Sequence, residues 1–211
     1  MNNTSGMKII VATMMLALVA FLPITAKAQP TASKTLENLQ TAYNGESNAR
    51  AKYMAYAEKA DQEGYAKVAR LFRAAARAEE IHAGNHAEVI KSLGATPEAE
   101  IKLPEIKSTE MNLKDAIEGE TYEQKEMYPE FLKQARLDQN HEAIQTFRYA
   151  LDAEGQHARL YQTALDNLSE WKVADMQFTV CPTCGFTIEG MPTFAYCPVC
   201  ATPKDNYLSI S

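Results

Sequence analysis

Two copies of the motif Glu-x-x-His lie inside long helical patterns, and they constrain the fold more than any other feature. They are Glu79-x-x-His82 and Glu154-x-x-His157. Residues three apart on a helix project from nearly the same face. Apolar residues with a period near 3.5 place that face on the inside of a bundle. Acidic and imidazole groups are expensive to bury alone, so the chain must form a core that compensates them.

The apolar pattern predicts four helices. The bounds that we expect are Ser33 or Thr35 to about Glu63, about Tyr65 to Leu93, a start near Asn112, and about His141 to Trp171. Gly64 and Gly94 supply C-terminal stops for the first two. Pro129 should kink the third helix, because proline removes a backbone donor.

The connections between these helices predict their arrangement. The first pair and the second pair are joined by short turns, which make antiparallel neighbours. The segment from Gly94 to roughly Thr109 could span ~50 Å when extended. A helix of nearly 30 residues is only ~44 Å long. We therefore predict an all-α, ferritin-like four-helix bundle with one long crossover over residues 29–172.

Seven side chains are predicted to converge in the core of this bundle: Glu46, Glu79, His82, Glu120, Glu123, Glu154 and His157. Their five carboxylates would repel strongly in a dry core. Two helices that each give Glu and two that each give Glu-x-x-His bind two iron or manganese ions. Two divalent cations would offset the charge, so a metal pair is favoured over a chance cluster of surface charges.

Three further side chains lie close to these candidates. Tyr53 and Tyr128 fall within about two helical turns of a ligand, where a phenol could donate a hydrogen bond to a carboxylate or a metal-bound oxygen. Both could also be plain core aromatics. His86 lies one turn beyond His82, and we expect a packed or supporting histidine there rather than a ligand.

The C-terminal segment, residues 175–211, contains all four cysteines as two C-x-x-C motifs, Cys181/Cys184 and Cys197/Cys200. Paired motifs of this kind indicate a tetrahedral four-thiolate metal site. Iron and zinc both suit that ligation, and two disulfides are a third option in an oxidising space. Few residues are available for a core, so the metal should stabilise the fold, with aromatic side chains around it: Phe178, Phe186, Phe194, Tyr196 and Tyr207.

The N-terminal segment reads as a secretory signal. Lys8 precedes an apolar run from Ile9 to Ile24, and Ala26-Lys27-Ala28 fits a signal-peptidase site. The run is short for a spanning helix and contains Pro23. We predict cleavage after residue 28 and an exported, periplasmic protein without a membrane anchor. The net charge of −6 argues against a nucleic-acid partner.

Together these motifs resemble the rubrerythrin family. The resemblance rests on the two Glu-x-x-His motifs, Gly45-Glu46-Ser47, Gly119-Glu120-x-x-Glu123, Met127-Tyr128-Pro129-Glu130-Phe131 and the tail that ends in Cys197-Pro198-Val199-Cys200-Ala201-Thr202-Pro203-Lys204. It implies a ferritin-like di-iron bundle with a small rubredoxin-like domain of β-ribbon and loop. By resemblance the seven converging side chains hold two irons, the four cysteines hold one iron, and Tyr53 and Tyr128 lie beside the pair.

The resemblance also implies an activity. Rubrerythrins are non-haem di-iron peroxidases that reduce hydrogen peroxide to water, with single electrons supplied through the cysteine-bound iron. They are typically dimers in which one subunit's rubredoxin-like iron approaches the other's di-iron pair. An exported form would need a different electron donor from its cytoplasmic relatives. Two other functions remain open, a ferroxidase or iron-handling protein and a structural bundle with a zinc-ribbon interaction module.

The same ligand set suggests one mobile ligand. Glu123 is the carboxylate in excess of the simplest bundle pattern. Ferric ions favour carboxylate oxygen, whereas ferrous ions accept imidazole readily. We therefore expect Glu123 to exchange with His82 on one iron as the oxidation state changes.

Overall fold

The computed structural model describes Met1 and residues 33–172 and 176–210, so the predicted signal segment lies outside the described residues. Five α-helices and a short π-helical segment form the bundle. They are α1 (Lys34–Gln62), α2 (Ala66–Ser92), α3 (Thr109–Tyr122), the π-helical segment (Glu123–Met127), α4 (Tyr128–Leu137) and α5 (His141–Asp166). The predicted third helix is thus α3, the π-helical segment and α4 in succession. The ferritin-like four-helix architecture is confirmed.

Capping side chains set where the helices begin. The hydroxyl of Ser33 accepts from the backbone N–H of Leu36, which makes Ser33 rather than Thr35 the cap of α1. Ser108 caps α3 in the same way, so that helix starts three residues before the predicted Asn112. At the other end of the bundle, α5 ends at Asp166 and gives way to turns, so the predicted helical extension to Trp171 is wrong.

The long crossover, residues 94–108, is fastened to α1 by a row of amides. Gln40, Asn44 and Asn48 lie one turn apart along α1. Gln40 and Asn48 each donate to and accept from the crossover backbone, and Asn44 accepts from the backbone N–H of Glu100. Asn48, for example, donates to the carbonyl of Glu100 and accepts from the backbone N–H of Lys102. These side chains satisfy backbone groups that have no helix or sheet of their own.

The predicted kink at Pro129 takes a different form. The helix widens into π-helical turns over Glu123–Met127, directly before Pro129 in the first turn of α4. Proline lacks the N–H that the α-helical ladder needs, and π-helical segments occur mostly as single turns inside α-helices, frequently at functional sites. The widening changes the helical phase, so Glu123 and Met127 are only half-buried although the seam pattern predicts both inside.

The C-terminal region forms a small antiparallel sheet of β1 (Phe178–Val180), β2 (Thr187–Glu189) and β3 (Leu208–Ile210) in the order β2-β1-β3. The rubredoxin-like arrangement is confirmed. Its aromatic packing is only partly as predicted. Phe186 and Tyr207 pack against the cysteines, and Phe194 packs on Tyr207. Tyr196 is exposed, and Phe178 points away from the cysteines toward the bundle.

One apolar core extends from the bundle into this sheet. Phe178 and Val180 of β1 are fully buried in the same cluster as Val68 and Phe72 of α2. Trp171 belongs to this cluster as well, and its ring lies under the ammonium group of Lys67 at 4.0 Å. The described residues from 33 to 210 accordingly form one compact unit. Among the described residues, no helix is both long and apolar enough to cross a membrane.

Candidate di-metal centre and four-cysteine site

Two groups of four potential ligands meet in the middle of the bundle. The first group is Glu46, Glu79, His82 and Glu154, and the second is Glu79, Glu120, Glu154 and His157. Within each group the ligand atoms lie within 4.8 Å of one another, and all of these residues are buried. Glu79 and Glu154 belong to both groups. This sharing is the geometry of two adjacent cation sites bridged by two carboxylates.

Several buried oxygens of these glutamates have no hydrogen-bond partner with suitable geometry among the described residues. Unpartnered atoms include Glu46 Oε2, Glu79 Oε1, Glu120 Oε2 and both oxygens of Glu154. Buried polar atoms are nearly always hydrogen-bonded, so such a concentration needs an explanation. Cations at the centre of the group would satisfy all of them at once. The donor set of carboxylate oxygens and imidazole nitrogens suits iron.

Both histidines turn the same nitrogen toward this centre. Nδ1 of His82 lies 3.0 Å from Glu154 Oε1, and Nδ1 of His157 lies 2.8 Å from Glu154 Oε2. Their Nε2 atoms point out of the centre and are engaged elsewhere, as described below. A hydrogen bond on Nε2 fixes the tautomer and leaves Nδ1 as the metal-binding atom.

Glu123 is the one predicted ligand that belongs to neither group. It opens the π-helical segment and is half-buried, while His82 occupies the position beside Glu46, Glu79 and Glu154. The arrangement corresponds to the state in which His82 rather than Glu123 would be bound. The predicted exchange between the two side chains stays a prediction.

The two tyrosines reach the carboxylates. The hydroxyl of Tyr53 donates to Glu120 Oε1 at 2.7 Å, and the hydroxyl of Tyr128 donates to Glu46 Oε1. Each phenol therefore holds one oxygen of a carboxylate that belongs to only one of the two ligand groups. The other oxygens, Glu120 Oε2 and Glu46 Oε2, have no hydrogen-bond partner among the described residues. This leaves one oxygen of each carboxylate available to a metal ion.

Without metal, the cluster perturbs its own protonation. Burial raises the pKa of Glu79, and repulsion from Glu154 adds to the increase. Burial and the charge of Glu154 raise the pKa of Glu120 to about 7. Burial acts against the charged form of His82, but Glu154 outweighs it and the pKa is raised. Glu154 itself is held below its usual pKa range: burial opposes this, and His82 is the main cause.

A pH dependence of the metal-free protein follows. Some of these carboxyl groups have a higher pKa in the folded than in the unfolded protein, where it is 4.5. Their contribution to stability is fully present below pH 4.5 and is lost as the pH rises through the pKa of the folded state. Glu79 and Glu120 share this sign, whereas Glu154 acts oppositely and only below about pH 4.5. We expect the chelated protein to lose on the order of 2 kcal/mol of stability between pH 5 and 8. Urea unfolding at the two pH values measures this. Equal stability at both would contradict it.

The four cysteines form a second metal site. Their sulfurs lie within 4.8 Å of one another, with 3.4 Å between Cys181 and Cys200 and 3.6 Å between Cys184 and Cys197. All four are free thiols, so neither C-x-x-C motif is closed as a disulfide. An ion ~2.3 Å from each sulfur would give S–S distances of about 3.8 Å, close to those observed. The site thus fits a tetrahedrally coordinated iron.

The cysteine site touches the di-metal centre directly. His82 Nε2 donates to the carbonyl oxygen of Cys184 at 3.0 Å. His157 Nε2 donates at 3.0 Å to the hydroxyl of Thr187, which donates in turn to the carbonyl of Gly185. Both histidine ligands are thereby hydrogen-bonded to the segment that carries Cys184. The resemblance implies an approach between subunits, but this contact lies within one chain.

Sequence reasoning missed the residues that make this contact. Thr187 and Gly185 carry no pattern that marks them, because their role depends on how the small sheet docks on the bundle. A Cβ atom on Gly185 would lie 2.2 Å from His82 Nε2, and the φ angle of Gly185 is +75°. A glycine directly after the second cysteine of a C-x-x-C motif was the available signal.

The fold and the two sites define a class of protein, a ferritin-like di-iron bundle joined to a rubredoxin-like four-cysteine domain. The rubrerythrin family model matches residues 37–165. Rubrerythrin-2 of Clostridium acetobutylicum is 39% identical over 176 residues, which cover 82% of this chain and 95% of that protein. The chain belongs to the rubrerythrin family, whose members bind two irons in the bundle and one at the four cysteines.

Structural similarity agrees with this assignment. Nigerythrin of Nitratidesulfovibrio vulgaris is 37% identical over 185 residues, 87% of this chain and 90% of that protein. The structure of nigerythrin in its fully reduced, all-ferrous state has a TM-score of 0.78 and 36% identity, covering 88% of this chain and 91% of the other.

Proposed function

We propose that this protein is a non-haem di-iron peroxidase that reduces hydrogen peroxide to water, with electrons entering through the cysteine-bound iron. The observation that carries the proposal is the 3.0 Å hydrogen bond from His82 to the carbonyl of Cys184. It joins a ligand of the di-metal centre to the backbone of a ligand of the one-electron site. A protein that only stored iron would have no need for this connection.

The bound irons would supply two electrons and Lewis acidity at the centre. The reaction converts one peroxide, two protons and two electrons into two waters. The chain's own residues hold the ligands in place: Tyr53 and Tyr128 orient the two terminal carboxylates, while Cys184 and Thr187 orient the two imidazoles. Burial of these groups excludes bulk water and strengthens each electrostatic interaction.

Access for a small oxidant supports the same proposal. A pocket of ≈140 Å³ is lined by Tyr53 and Glu123 at the centre and by Lys52 and Lys102 at its rim. A water molecule takes up about 30 Å³ in the liquid, so the pocket is large enough for a molecule of peroxide. The opening lies between α1, α3 and the crossover, beside the half-buried Glu123.

The central experiment replaces Cys184 by Ser. We expect the bundle irons to remain bound while turnover with an electron donor falls to background, because the cysteine-bound iron is lost. Iron analysis, visible absorption and peroxide consumption measure the three effects. Chemical reduction of the bundle irons is the control, since it bypasses the cysteine site and should restore a single round of peroxide reduction. Unchanged donor-dependent turnover would contradict electron entry through this site.

A ferroxidase or iron-handling function is the second candidate. The di-metal bundle favours this function. The cysteine site does not, because a ferroxidase takes electrons from its iron substrate and needs no such site. Rates with peroxide and with oxygen, measured at catalytic iron, separate the two functions. Faster oxidation of added ferrous iron with oxygen than with peroxide would favour the ferroxidase. Zinc in the cysteine site, shown by a missing visible absorption, would favour an interaction module instead.

We also propose that the protein is exported after cleavage of residues 1–28 and acts as a homodimer with an electron donor of its own compartment. The support is the charged start, apolar run and Ala26-Lys27-Ala28 of the N-terminal segment. Mass spectrometry of the protein from its native cells should show an N-terminus at Gln29. A chain that keeps its first residues in a cytoplasmic fraction would contradict export.

A further inference from the structure

A second line of hydrogen bonds, separate from the contact between His82 and Cys184, reaches the di-metal centre. It starts at Thr146 on α5, whose Oγ1 lies 3.0 Å from Nδ1 of His86. Nε2 of His86 lies 3.2 Å from the hydroxyl of Tyr128. The hydroxyl of Tyr128 donates to Glu46 Oε1. Four side chains on four helices thus form one continuous line that ends on a predicted metal ligand.

Every donor in this line points toward the centre. Glu46 as a carboxylate only accepts, so the Tyr128 hydroxyl donates to it and must accept from His86 Nε2–H. A neutral imidazole carries a single N–H. With that hydrogen on Nε2, Nδ1 is an acceptor for the hydroxyl of Thr146. The arrangement is therefore oriented and complete.

The outer end of the line opens on a surface pocket. A pocket of ≈320 Å³ lies between α2 and α5 beside the cysteine domain, and Thr146 forms part of its wall. Thr146 is 4% exposed, whereas His86, Tyr128 and Glu46 are fully buried. Two carboxylates, Glu88 and Glu142, also line the pocket and can exchange protons with solvent. Thr146 is thus the residue where solvent meets the buried line.

We propose that Thr146, His86 and Tyr128 form a proton relay from the α2–α5 pocket to Glu46 at the di-metal centre. This inference rests on the proposed peroxide reduction, because that reaction consumes two protons at a buried centre. The oxidant and the protons would then arrive by separate routes, the former through the pocket at Tyr53 and Glu123. The relay residues touch neither peroxide nor metal and act through Glu46.

The transfer balances without any further reactant. A proton from solvent binds Thr146 Oγ1 as the Thr146 hydroxyl proton passes to His86 Nδ1. The Nε2 proton of His86 passes to the Tyr128 oxygen, and the Tyr128 hydroxyl proton passes to Glu46. One proton enters from the pocket and one arrives at the centre. Rotation of the hydroxyls and return of the imidazole to its Nε2–H form restore the starting arrangement.

A packing role alone would explain these residues differently. The ring of His86 also contacts that of Phe147, at 5.5 Å between centroids, so the histidine could simply fill the core. Packing does not require a hydroxyl at position 146 or a particular proton position on His86. A relay requires both, and both can be measured. The need for a hydroxyl is tested by comparing Val with Ser at position 146.

The first measurement needs no turnover. Nitrogen NMR of the full-length, zinc-loaded protein should show His86 protonated on Nε2 and unprotonated on Nδ1. Exchange of this N–H with solvent should become slower in Thr146→Val and stay at the wild-type rate in Thr146→Ser. A proton on Nδ1, or equal exchange rates in Val and Ser variants, would overturn the relay. This holds whether or not the protein reduces peroxide.

The second measurement uses the iron-loaded enzyme. Thr146→Val should lower peroxide turnover by on the order of 10²-fold and raise the solvent deuterium isotope effect. Thr146→Ser should retain the wild-type rate. Thr163→Val is the matched control, because Thr163 lies on the same helix with its hydroxyl bonded to the carbonyl of Arg159. If the Val variants at 146 and 163 behave alike while the wild type turns over, the relay is refuted. An inactive wild type would refute the peroxidase proposal instead.

Discussion

Replacing Glu79 by Gln is expected to reduce the iron content from about three ions per chain to about one. Glu79 belongs to both four-residue groups, and among the residues that the structure describes only Glu154 shares that position. A neutral amide cannot bridge two cations as a carboxylate does. The ion at the four cysteines is expected to remain, because no atom of Glu79 belongs to that site.

The same substitution should leave the metal-free fold intact. Burial and Glu154 raise the pKa of Glu79, which favours the neutral acid in the metal-free protein. Glutamine has nearly the same shape and charge as that acid. We therefore expect equal or slightly higher stability without metal. With iron, the variant loses the ligand-linked stabilisation, which is about 2.7 kcal/mol when free metal is 100-fold above Kd.

Glu80→Gln is the matched control. Glu80 is the next residue on the same helix, but it is exposed and pairs with Arg77 and Arg50. The Glu80→Gln variant should bind as much iron as the wild type and be stabilised by iron to the same extent. Iron analysis and thermal unfolding with and without iron measure both variants. Full iron content in Glu79→Gln, or loss of iron in Glu80→Gln, would contradict the assignment of the bridging carboxylate.

Gly185→Ala is expected to uncouple the two metal sites while both remain loaded. The added methyl group would lie 2.2 Å from His82 Nε2, so the segment around Cys184 must move away and break the bond to His82. The φ of +75° adds a backbone penalty of about 1 kcal/mol for alanine. Electron transfer falls steeply with separation. Reoxidation of the cysteine-bound iron after peroxide addition, followed by visible absorption, should therefore slow strongly.

Gly190→Ala separates strain from contact. Gly190 has a φ of +74°, nearly the same as Gly185, but a Cβ there would meet nothing within 4 Å. It should carry the same backbone penalty and leave the rate of reoxidation unchanged. The coupling through Cys184 and His82 would be disproved if Gly185→Ala and Gly190→Ala reoxidised at the same rate.

The residues that break the apolar seams could be located from sequence because helical phase is a local property. Glu46, Glu79, Glu120 and Glu154 are all fully buried where the seams place them. The supporting role expected for His86 also agrees with its contacts, since it belongs to neither ligand group. The cysteine spacing was equally informative, because a C-x-x-C turn brings its two sulfurs together by local geometry.

Features that depend on distant contacts were not predictable. The seam phase placed Glu123 inside, but the π-helical segment before Pro129 rotated it to a half-buried position. Proline signals a disturbance of the helix without stating its form. Thr146 and Thr187 looked like ordinary polar residues, since their partners lie on other elements. Phe178 was wrongly assigned to the cysteine site. Its burial against α2 depends on how the sheet docks on the bundle, which the sequence pattern does not show.

The shared apolar core of β1 and α2 has a consequence for how such proteins can diverge. Phe178 and Val180 belong to the same apolar cluster as Val68 and Phe72, so the rubredoxin-like domain also covers part of the bundle's hydrophobic interior. Deleting this domain would expose an apolar surface of the bundle and promote aggregation, whatever the effect on redox chemistry. A descendant that dispensed with its cysteines would therefore still have to keep the strands, or evolve a replacement cover. Here architecture, and not only catalysis, preserves the pairing of the two modules.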